Sequence, residues 1–79
     1  MKILPKTKSI SETRLKMGYT LRGLAQETHL TPESILRIEH GRPVRPGTAK
    51  VICTALGAEF CDLFWVAKGE SADDGKAGL

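Results

Sequence analysis

Seventy-nine residues with twelve Lys and Arg against nine Asp and Glu, a net charge of +3, make one small domain that buries only about 60% of its unfolded surface. No apolar run reaches the ~18 residues of a membrane span, and "MKILPKTKSI" has neither the apolar core nor the small-residue cleavage site of a secretory leader. The charge is uneven: residues 1–50 hold ten basic and four acidic side chains, residues 51–79 two and five, so the basic end suits a polyanion, although a merely solvated face would have the same composition.

Residues 1–8 read as a basic N-terminal arm, with Lys2, Lys6 and Lys8 around Pro5. A first helix is expected from Ser9, where Ser9 and Glu12 have the S-x-x-E spacing of a capping box. It runs to Met17, and Gly18 stops it in the left-handed conformation. Thr20 caps a second helix. Tyr19 before it and Leu24 within it stand as a hydrophobic staple, and Leu21, Leu24, Ala25 and Thr28 share one helical face. "ETHLTPESI" then holds a helix stop and a helix start a few residues apart. His29 takes the corner, being among the few residue types besides glycine enriched at positive φ. Thr31 caps the third helix, Pro32 suits its first position, Glu33 suits its dipole, and Leu30 with Ile35 makes a second staple. The third helix, "PESILRIEH", stops at Gly41. Two short helices joined by so sharp a corner form a helix-turn-helix.

The loop "GRPVRPG", residues 41–47, is too rich in proline and glycine for regular structure. A fourth helix is expected over Thr48–Leu56 with Val51, Ile52, Ala55 and Leu56 buried, stopped by Gly57, and a fifth over about Phe60–Val66. No strand signal is evident. The expectation is an all-α fold of five short helices over residues 9–67, followed by a flexible tail over 68–79.

Cys53 and Cys61, without a leader, suit a reducing compartment and read as small apolar residues on helices. Together with His29 and His40 they lack the close pairing of a zinc site, so no metal is expected. There is no glycine-rich phosphate loop and no nucleophile–histidine–acid arrangement, so the chain does not read as an enzyme. Phe60 and Phe64 are four residues apart, and Trp65 is adjacent. A short terminal helix cannot bury every side, so these three are candidates for a dimer interface as well as for core.

"GYT" opening the second helix, "LAQ" within it, "SILRIEHG" ending the third and "ALG" closing the fourth stand in an order and spacing that resembles the Cro and phage-repressor type of helix-turn-helix domain, the lambda-repressor-like fold. The resemblance covers roughly residues 10–66. It implies a small DNA-binding transcription regulator acting on double-stranded operator DNA as a homodimer, in the cytoplasm on the nucleoid, with no cofactor and no small-molecule ligand. Carried over by position, Thr31, Pro32, Glu33, Leu36 and Arg37 would contact bases, and Thr20, Leu21, Arg22, Ser34, Arg42 and Arg45 the DNA backbone. Arg14 and Glu39 would form a structural ion pair. Four positions depart from the family pattern: Leu21 stands where glutamine is common, His29 where glycine is common, and Pro32 and Glu33 where glutamine, serine or arginine often read bases.

The residues themselves leave alternatives open. Arg37, four residues after Glu33, can read a guanine or form a surface ion pair. Glu33 can accept from cytosine N4 or simply favour the helix dipole. Leu36 can touch a thymine methyl or pack on the following loop. The expected function is a repressor on an inverted-repeat operator. The alternative is a protein-interaction module of the same fold that sequesters a partner regulator.

Overall fold

A computed structural model describes residues 1–67. The tail expected over 68–79 lies outside the described residues. The elements run β1 (Lys2–Pro5), α1 (Thr7–Lys16), α2 (Leu21–Thr28), α3 (Pro32–Glu39), α4 (Pro46–Leu56), α5 (Phe60–Leu63) and β2 (Phe64–Ala67). Five helices pack around one core whose largest buried side chains are Ile10, Leu24, Ile35, Ile52, Leu63 and Phe64. None of the described helices is long and apolar enough to cross a membrane.

The helix-turn-helix centre follows its local chemistry. Thr20 Oγ1 accepts the amide of Gly23 at 2.9 Å, and Thr31 Oγ1 accepts the amide of Ser34 at 3.1 Å. Each cap satisfies one amide that a helix start leaves unpaired. A Cβ on residue 23 would stand 3.1 Å from Thr20 Oγ1, so glycine there lets the cap close. His29 adopts φ 60° and ψ 31°, the left-handed corner, and Leu30 N closes it on Ala25 O at 2.9 Å. Thr28 is buried, but its hydroxyl donates to Leu24 O at 2.8 Å, so its polar atom is not stranded.

Four expectations are corrected. First, α1 begins at Thr7 with Lys6 before it and no side-chain cap. Ser9 and Glu12 therefore lie inside the helix and make no capping box. The start is set from outside: Lys6 N donates to Leu63 O at 2.7 Å, and Lys6 O accepts from Ile10 N at 2.9 Å.

Second, the chain does contain strands. β1 pairs antiparallel with β2 in the register Lys2↔Ala67, Ile3↔Val66, Leu4↔Trp65 and Pro5↔Phe64. Half of the expected basic arm is thus part of a sheet, and Thr7 and Lys8 belong to α1. Four residues ending in proline are too short to display an alternating pattern, and Pro5 is tolerated because its position needs no ladder amide.

Third, α5 stops at Leu63 rather than near Val66. Phe64 is already extended, at φ −140° and ψ 161°, and Phe, Trp and Val are residues that favour a pleated surface.

Fourth, α4 begins at Pro46, two residues early, with the proline where no amide is needed. Its inner stripe is Ala49, Ile52 and Leu56, while Val51 is exposed. A one-residue error in phase carried Val51 to the wrong side.

Candidate nucleic-acid interface

α3 buries Ile35 and Ile38 and turns Pro32, Glu33, Leu36 and Arg37 outward, with Thr31 exposed at its start. This division is the helical period read from the other side. Thr31 is largely committed to structure: it accepts from Ser34 N and donates its hydroxyl to Ser34 Oγ at 3.0 Å. The proton of the Ser34 hydroxyl remains available to an acceptor. The described ion pair within 4.0 Å is Arg14–Glu39, so Glu33 and Arg37 do not close the surface pair that their spacing allows.

Beside this face lies a concavity of about 380 Å³ between α3, the loop 40–45 and the start of α4. Ser34, Arg37, Arg42, Arg45 and Thr48 line it, and none of its lining residues is acidic. Arg42 N closes on Arg37 O at 3.1 Å, bringing the loop back against the end of α3. The amides that open α4 have no side-chain cap, and a helix start carries partial positive charge. Three guanidinium groups, two hydroxyls and a helix start therefore converge on a space suited to an anion.

The second group of expected contacts sits at the start of α2. Thr20 and Arg22 are exposed, whereas Leu21 is half-buried and packs against the core. Its side chain is structural, leaving the backbone amide as what this position can offer a phosphate.

Arg14 and Glu39 meet behind this surface. Arg14 Nε donates to Glu39 Oε2 at 2.6 Å, Nη2 to Oε1 at 3.4 Å, and Nη1 to Tyr19 O at 2.9 Å. Their side chains are 11% and 10% exposed. The pair ties α1 to the end of α3, and the third bond holds the entry to α2.

The aromatic cluster divides. Phe64 is 1% exposed, so its assignment to a dimer interface is corrected: it belongs to the core of the single chain. Phe60 stacks on it at 5.6 Å and stays partly open, and Trp65 is 51% exposed. Lys6 Nζ lies 5.7 Å from the Trp65 ring and donates to Cys61 O at 2.6 Å.

Cys53 and Cys61 are free thiols. Burial, with Asp62 and then Glu59 nearby, pushes the Cys53 thiol above its ordinary pKa, which favours the neutral thiol over the thiolate. No three His, Cys, Asp or Glu side chains among the described residues gather to hold a metal.

Three contributors escaped the sequence reading: Gly23 under the Thr20 cap, Thr48 on the concavity, and Val44. The amide of Val44 donates to Ile3 O at 2.9 Å, an isolated bridge that fastens the arginine loop to β1. Nothing in the local sequence marks such a long-range contact.

A helix-turn-helix family model matches residues 10–63, which spans all of α2, α3, the arginine loop and α4. Comparisons with curated proteins and with solved structures give no significant match.

Proposed function

The chain belongs to the helix-turn-helix family of the Cro and phage-repressor type, whose members are DNA-binding transcription regulators, and from that premise we propose that it is a repressor binding an inverted-repeat operator as a homodimer. The observation that carries this reading is the cluster of Arg37, Arg42 and Arg45 around one concavity beside the outward face of α3. In the proposed complex α3 enters the major groove. Arg42, Arg45, the Ser34 hydroxyl and the backbone at Leu21 and Arg22 hold phosphates, with Thr20 serving as the cap that presents them. Arg37 stands between the two sets and its fork reads guanine O6 and N7. Glu33 accepts from cytosine N4 and Leu36 meets a thymine methyl. Phe60 and Trp65 contribute to the contact between subunits. The site of action is the nucleoid.

Selection of bound duplexes from a random pool, followed by binding across a salt series, tests this. The expected result is a two-fold symmetric site with half-site centres about 34 Å apart and an affinity that falls steeply with salt. A second reading, a module that captures another regulator, is favoured by one feature: Leu36 is 41% exposed beside Pro32 and Glu33, giving α3 an apolar and acidic outer face. Failure to bind any duplex at low salt would transfer the function to that reading.

A further inference from the structure

The loop between α3 and α4 places Arg42 and Arg45 with little structure of its own. Gly41 N donates to Ile38 O at 3.0 Å and Arg42 N to Arg37 O at 3.1 Å, which fixes the first half to the end of α3. Arg45 O accepts from Ala49 N at 2.9 Å, which joins the last residue to α4. Between these ends Pro43 has no amide to give. Among the described residues, the backbone bond made by this middle part is Val44 N to Ile3 O, at 2.9 Å. A strand from the far end of the chain therefore supplies the anchor that the loop lacks.

That bond also decides a direction. Successive side chains on an extended backbone point to opposite sides. Ile3 and Val44 are half-buried and pack against the core, so Arg45 is turned outward, exposed on the concavity with Arg37 and Arg42. A slip of one position at Val44 would send the valine into water and the guanidinium toward the core. We infer that β1 is a positioning strand for phosphate binding: Ile3, through Val44, holds Arg45 at the DNA backbone, a role that rests on the DNA-binding reading above.

α3 has its own support. Ile35 and Ile38 seat its inner face, and Glu39 ties its end to Arg14. β1 is held from its other side by β2, and it lies outside residues 10–63, which match the family model. The grip on phosphate and the reading of bases thus have separate supports, one brought from the N-terminal strand and one contained in the helices.

The test compares full-length chains on the selected operator and a scrambled duplex across a salt series. Val44→Pro removes the donor, and Val44→Thr keeps it on a side chain of nearly the same shape. An ester in place of the Val44 amide removes the donor and leaves the valine, which serves where proline disturbs folding. Loss of the donor is expected to weaken both duplexes by the same factor, to lower the salt slope by about one per subunit, and to leave the preferred bases unchanged. Val44→Thr is expected to keep the parental slope. In an Arg45→Ala background, loss of the donor should lower the slope no further, because two changes acting through one contact do not add. Destabilisation alone gives a different pattern: a smaller folded fraction weakens binding without changing the number of phosphates met. An unchanged slope without the donor, an equal fall for Val44→Thr, a further fall in the Arg45→Ala background, or a shift in base preference overturns the positioning role and leaves DNA binding in place. A parent that binds no duplex at low salt overturns both.

Discussion

Two sets of arginines serve this molecule in opposite ways. Arg14 lies in the seam between α1 and α3 with its partner Glu39, and all three of its described bonds point inward. Arg37, Arg42 and Arg45 are exposed around the concavity beside α3 and have no carboxylate within ion-pair distance among the described residues. The residue type is the same, but burial and partner decide whether its charge is used within the fold or left open at the surface. A charge that is already neutralised and desolvated offers little to a phosphate, and an unpaired one on the surface adds little to stability.

The largest expected effect breaks the inner set. Glu39→Ala leaves Arg14 partly buried without its counter-charge and is expected to cost ~3 kcal/mol of stability, read as a fall in the denaturant midpoint. Its DNA affinity, measured where the variant is folded, should change far less. Arg37→Ala should show the reverse: a loss of ~1–3 kcal/mol on the preferred operator with stability within about 0.5 kcal/mol of the parent. Equal losses on operator and scrambled duplex would remove Arg37 from base reading and assign it to the phosphates with Arg42.

Arg45→Ala sharpens the division within the outer set. It should weaken specific and random duplexes alike and lower the salt slope by about one per subunit. An unchanged slope in a binding titration would mean that Arg45 meets no phosphate. The smallest effect concerns the corner, which touches neither set. His29 holds a left-handed conformation that costs ~1–2 kcal/mol for a residue with a Cβ, partly offset by the greater unfolded freedom of glycine. His29→Gly should therefore gain roughly 0.5 kcal/mol in thermal unfolding, with DNA binding unaltered.

The legible parts of the fold were those whose causes lie within a few residues. Thr20 and Thr31 cap their helices, His29 turns the corner, and Gly18, Gly41 and Gly57 take positive φ, each identifiable from its neighbours. The illegible parts had distant causes. The start of α1 depends on Leu63, which lies across the sheet from Lys6. The strand character of Phe64–Ala67 depends on a partner about sixty residues away. Val51 shows that four apolar residues in a short helix do not fix its rotation to better than one position. At the candidate interface, the residues on the outward face of α3 followed from helical phase and family position. Their gathering with Thr48 around one concavity needed the loop to be folded back, and the fixing of that loop by Val44 and Ile3 has no local signature.

The pairing of Lys2 with Ala67 also orders events in time. α1 to α4 contain the helix-turn-helix and most of the core, and their partners lie closer along the chain than the two strands do, so they can form sooner. The sheet must wait, because β1 leaves the ribosome about sixty residues before its partner strand. During synthesis the N-terminal strand has Val44 on one side and nothing yet on the other. β2 is the last of the described elements to be made, so a half-made chain carries its arginine cluster before its sheet can close.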